Sequence, residues 1–285
     1  MEAFSLHSTD RSGRPAGTHA LDQVPLLLLP CYVLALVIAF IVLPALPQDP
    51  AYHRFAEDRH WLGIPNFPDV ASNLAILLPA VAGLILVNRC APVRGSFRTS
   101  FERALATTCF AALVLTAIGS TWYHLAPDNT RLFWDRLPLG LAFTTLPALL
   151  IAERLALSRW GRLMILLWVL AGPTAVVWWY LGELGGRGDL RPYFMLHAFL
   201  FLLSPALLAL RSPYTRSALY AVAYVVFMLA MAGDRLDQAI FDFTRGLVSG
   251  HTLKHLLTGL AIGTLAFMMA IRRHRRQTPS PPLRS

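Results

Sequence analysis

The chain has 285 residues, of which 55% are hydrophobic and only 14% charged, with a formal net charge of +9. A soluble domain carries roughly 25% charged residues, so this composition excludes an ordinary water-soluble globule. Cys31, Cys90 and Cys109 lie in or beside apolar runs without CxxC spacing, which argues against a disulfide framework or a cysteine-based zinc site and for small apolar packing residues.

Residues 1–23 form a polar N-terminal tail, and the apolar run after it is too long for the h-region of a signal peptide. A bilayer core needs about 20 apolar residues per helix. Eight stretches meet that need: 24–46, 70–88, 104–123, 133–152, 163–181, 192–210, 217–233 and 250–271. The expected fold is therefore all-α, a polytopic membrane helix bundle with eight spans. A basic, Pro-rich tail, 272–285, reads as disordered.

Arg and Lys in short loops set orientation. The two tails and the loops near 89–103, 153–162 and 211–216 hold 16 arginines, against 8 in the four loops between them. With eight helices the richer set falls on one side. Both termini are then cytoplasmic, and the basic charge needs no nucleic-acid partner. Eleven of the 16 acids, among them Asp69, Asp135, Asp234 and Asp237, fall on the other side. Either simple solvation of that surface or a cation site explains the crowding.

Ionisable groups near membrane spans mark function more often than chance. In GSTWYH, Ser120 and His124 are four apart and share a helix face. A turn follows at Ala126–Asn129, and WDRLP places Asp135 in the first turn of the next span. A tight hairpin returns it towards His124. In SGHTLKH, His251 and His255 are again four apart, a spacing that presents two imidazoles to one zinc ion. Thr252 stands where HExxH would have its Glu, so Asp135 is the candidate base. In IPNFPDVASN, Asp69 reads as a helix cap, with Ser72 and Asn73 just inside the helix. Arg191 and Asp237 pair with each other or with substrate, and His197 lies within the sixth span. His7, His19, His53, His60 and His274 carry no assigned role.

The pattern S-x3-H, an Asp eleven residues on, and H-x3-H in the last helix resembles the alkaline ceramidase family, in particular its bacterial members. That family belongs to a wider group of membrane hydrolases that includes the adiponectin-receptor-like proteins. The resemblance runs from about residue 55 to 271 and takes in Asp69, Ser72 and Asn73. It implies a seven-helix core within residues 47–271, with 24–46 as an added N-terminal span. It also implies zinc held by His124, His251 and His255, with Ser120 and Asp135 as catalytic groups, and a reaction that hydrolyses ceramide to sphingoid base and fatty acid. The chain departs from its eukaryotic relatives at Asn66, where they carry an acid tied to calcium; Glu57 and Asp58 lie nearby. It departs again at Arg136, where they usually have an acid. Arg136 and Lys254 beside the site favour an anionic head group.

Overall fold

The computed structural model describes residues 24–90 and 95–275. The N-terminal tail and the end of the C-terminal tail, 276–285, lie outside the described residues. The described chain forms eight long helices and a short one: α1 (Val24–Val42), α2 (Phe67–Ile85), α3 (Ser100–Leu125), α4 (Asn129–Arg154), α5 (Arg159–Leu184), α6 (Arg191–Ala209), α7 (Ala218–Arg235), α8 (Asp237–Phe243) and α9 (Gly250–Ile271). Helices α2 to α7 and α9 make seven that are long and apolar enough to cross a membrane, and the apolar part of α1, Leu26–Val42, is shorter. This is the polytopic helical bundle expected from the apolar runs.

Helix starts follow local chemistry. Thr99, Asp128, Ser158 and Ser249 each accept a hydrogen bond from the backbone N–H three residues on, at the heads of α3, α4, α5 and α9. The Asp128 cap starts α4 four residues earlier than its apolar run, so Asp135 lies in the second turn and not the first. Helix α1 stops at Val42 and not at residue 46, because Pro44 and Pro47 have no N–H to donate and Pro44 disfavours helical geometry at Leu43.

Leu78, Leu115, Leu170, Leu202, Leu229, Leu260 and Phe267 are all more than half exposed around the bundle. An apolar girdle of this kind is stable against lipid, not water. Cys31 is likewise exposed on α1, whereas Cys109 is buried. Helix α1 packs at the periphery: the Tyr32 ring meets Trp168 and Phe199 edge-on, and its hydroxyl donates to the Pro192 carbonyl.

The end of the bundle away from the histidines is tied by ion pairs. Arg272 Nη1 reaches Glu153 Oε1 at 2.5 Å, the Tyr220 hydroxyl donates to the same oxygen at 3.0 Å, and Arg98 pairs with Glu102. The basic tail therefore does not begin as a disordered segment at 272. Arg272 is buried, and Arg275 N donates to the Pro213 carbonyl.

Candidate metal centre

Two helices deliver three imidazoles to one point. His124 comes from the last turn of α3, His251 and His255 from the first two turns of α9, and all three are buried. One ring nitrogen of each lies within 4.8 Å of the others, so the cluster can hold a metal ion. His251 Nε2 is 3.1 Å from His124 Nε2. Two nitrogens each about 2.0–2.1 Å from one tetrahedral ion sit about 3.3 Å apart, so the spacing fits a shared metal.

Neighbouring groups fix which nitrogens face the centre. Asp234 Oδ1 lies 2.8 Å from His251 Nδ1. Lys254 Nζ lies 3.2 Å from the same nitrogen but is paired with Asp234; since a carboxylate only accepts, the shorter Asp234 contact puts the proton on Nδ1 and turns the Nε2 lone pair inward. Ser72 Oγ donates to the Asp69 carbonyl at 2.9 Å, which leaves it to accept from His255 Nδ1 at 2.8 Å. His255 thus also turns Nε2 inward. Among the described residues His124 Nδ1 is buried without a hydrogen-bond partner.

Close backbone approach makes this convergence possible. A Cβ on Gly119 would stand 2.4 Å from the Trp134 carbonyl, so only glycine lets α3 lie directly against α4 beside Asp135. A Cβ on Gly250 would stand 2.2 Å from the Gly233 carbonyl, so glycine brings the head of α9 onto the end of α7 and hence His251 onto Asp234.

Under the imidazoles lies a cavity of about 740 Å³. His255, Ser120, Asp135 and Lys254 line it, as do Asp234, Arg136 and His197. Ser120, like Ser204, makes no hydrogen bond to its own helix. Thr116, Thr121, Thr174 and Thr264 each donate to the carbonyl four residues back, whereas Ser120 has no hydrogen-bond partner among the described residues. Asp135 likewise has none, so both groups remain available to a molecule in the cavity. A smaller apolar cavity of about 100 Å³ continues below, meeting the first at Leu113, Leu139, Phe143, Phe227 and Thr258. From Ser120 down α3 to Cys109 is about 16 Å at 1.5 Å per residue.

Other residues singled out in the sequence take different places. Asp69 does not cap α2; Asn66 occupies that position, and Asp69 Oδ1 accepts from Thr252 Oγ1 at 2.6 Å while Oδ2 has no partner. Asn73 Nδ2 donates to the Asp69 carbonyl. Arg191 and Asp237 do not pair with each other. Arg191 binds Asp189 at 2.6 Å, and Asp237 accepts from the backbone N–H groups of Ala56 and His251. Lys254 pairs with Asp234 at 3.1 Å, and His197 Nδ1 donates to the Tyr193 carbonyl. Of the residues considered for calcium, Glu57 is engaged by Arg59, Asp58 is exposed, and Asn66 Nδ2 donates to the His124 carbonyl.

Sequence reasoning passed over three participants. Asp234 orients His251, yet it was read only as one of the crowded acids. Its signal is its place in the last turn of α7, where the helix dipole disfavours an acid. Phe55 covers the cluster, with ring centroids 4.8 Å from His124 and 4.4 Å from His251. His53, assigned no role, contacts the Tyr123 hydroxyl at 2.9 Å. Neither loop residue carries a local signal. No protein-family model matches the chain, and no curated protein matches it.

Proposed function

We propose that this protein is an intramembrane zinc-dependent amidase that hydrolyses ceramide-type lipids to a sphingoid base and a fatty acid. The observation that carries the reading is the convergence of three buried imidazoles over a cavity that is polar at the cluster and apolar below it. Three histidines with an open fourth position are the donor set of a catalytic zinc site. The apolar extension suits an acyl chain lying along the bundle, and the resemblance to the alkaline ceramidases supplies the amide.

When bound, zinc supplies a Lewis acid for the amide carbonyl and lowers the pKa of water to about 7. The protein's own groups do the rest. Asp234 and Ser72 hold protons on His251 Nδ1 and His255 Nδ1, which keeps the Nε2 lone pairs directed inward. Asp135 accepts the proton of the attacking water and returns it to the leaving nitrogen. The Ser120 hydroxyl donates to the carbonyl oxygen as negative charge grows there. Water adds its oxygen to the acyl carbon, the C–N bond breaks, and the products are a carboxylic acid and an amine. By the distribution of arginines, the site faces the extracytoplasmic side of a bacterial inner membrane.

The test is metal analysis of purified protein together with mass spectrometry of ceramide hydrolysis. About one zinc per chain and free fatty acid are expected. Activity and metal retained in His251→Ala would overturn the assignment. Fatty acid released only from another lipid amide or ester would change the substrate and keep the site. Bound metal with no turnover of any lipid would leave a lipid-binding sensor or scaffold.

A further inference from the structure

Arg136 is buried at 4% exposure, about two helical turns into the bundle from the Ala126–Asp128 hairpin, and it lines the large cavity. Its guanidinium carbon lies 4.9 Å from the Tyr52 ring centroid, 4.8 Å from that of Trp179 and 5.3 Å from that of Tyr193. A single hydrogen bond, Nη1 to Gln48 Oε1 at 2.7 Å, anchors it. Among the described residues no carboxylate pairs with it. Other buried arginines here are treated differently: Arg272 and Arg154 both bind Glu153.

A buried cation without a counter-ion is costly unless other groups compensate it. Three rings stabilise a guanidinium through their electron-rich faces. They leave its edge, with the remaining N–H donors of the five, as the part that can meet a ligand. That planar fork matches carboxylate or phosphate oxygens in pairs. Gln48 and Tyr52 come from the stretch after α1, so the segment that joins α1 to α2 closes this end of the cavity. Of the other cations lining it, Lys254 is already neutralised by Asp234, and Arg235 is exposed to the surroundings of the bundle.

We propose that Arg136 in its Tyr52–Trp179–Tyr193 cage is an anion-recognition subsite, and that the lipid amide cleaved at this centre carries a carboxylate or phosphate on its polar end. This rests on the amidase reading above and narrows its substrate class. The acyl chain then runs down the apolar extension, the amide lies at the histidines, and the anion lies against Arg136.

The test compares matched lipids on the zinc-loaded full chain: palmitoylglycine against palmitoylethanolamine, and ceramide 1-phosphate against ceramide. The expected result is about a ten- to hundredfold higher kcat/KM for the anionic member of at least one pair. The pair that shows it distinguishes carboxylate from phosphate. In Arg136→Met the ratio should fall to about one, and Arg136→Lys should keep a reduced preference. A wild-type ratio at or below one in both pairs overturns the proposal, as does a ratio unchanged in a folded Arg136→Met. If no lipid is hydrolysed, the amidase reading fails, and binding of the same four lipids by native mass spectrometry decides the subsite: tighter wild-type binding of an anionic member supports it, and equal binding overturns it.

Discussion

At one end of the bundle Glu153 is met by Arg272, Arg154 and Tyr220, and Glu102 by Arg98 and the Tyr214 hydroxyl. At the other end three imidazoles face one another, and among the described residues Asp69 Oδ2 has no hydrogen-bond partner and Arg136 forms no ion pair. Both ends bury ionisable groups. The first matches acid with base across α3, α4, α7 and the chain after α9, which fastens those elements together. The second also joins α7 to α9 through Asp234 and α2 to α9 through Asp69 and Ser72, but it leaves lone pairs and a cation beside a cavity, where a ligand can meet them. Burial of charge is therefore no mark of function by itself; burial without matching partners is.

The comparison breaks most sharply at His251. Replacing it with Ala should abolish stoichiometric metal and lower amide hydrolysis by at least about a thousandfold, the scale on which losing a central catalytic group registers. Metal analysis and fatty-acid release measure the two effects. The opposite end should respond in stability instead. Glu153→Gln breaks a buried pair and should cost about 3–5 kcal/mol, read as a lower thermal midpoint in detergent with metal content per folded molecule unchanged. Metal lost in parallel would show that the two ends are not independent.

Smaller effects sharpen the account of the histidine end. Asp234→Ala frees the His251 ring and should weaken metal binding by about 10–100-fold in a chelator competition, with Ser72→Ala at the low end of that range. The smallest effect belongs to Asp189, in the loop between α5 and α6. Burial works against its charged form, but hydrogen bonds from Arg191 and from Leu46 N draw its carboxyl below the usual carboxylate range. A lowered folded pKa gives stability that is present above the unfolded value of about 3.9 and is lost as pH falls through the folded one. Asp189→Asn should cost about 1 kcal/mol near neutral pH, and the gap from wild type should close below about pH 4 in unfolding experiments.

Much of this molecule is written locally. Apolar runs locate the spans to within a few residues, because lipid demands both length and hydrophobicity from each helix separately. The i,i+4 spacings of Ser120 with His124 and of His251 with His255 are also local, since one helix fixes both members of each pair. Helix ends were less legible: the Asp128 cap and the prolines after Val42 moved the boundaries of α4 and α1. By itself the sequence determined a membrane helix bundle and two half-sites. Only the tertiary structure joined His124 to His251 across 127 residues, set Asp234 on the His251 ring, and closed Arg136 with residues from α5, α6 and the segment after α1. The physical reason is that these contacts depend on which helices touch and how closely. That is decided by packing at Gly119 and Gly250, not by any spacing along the chain.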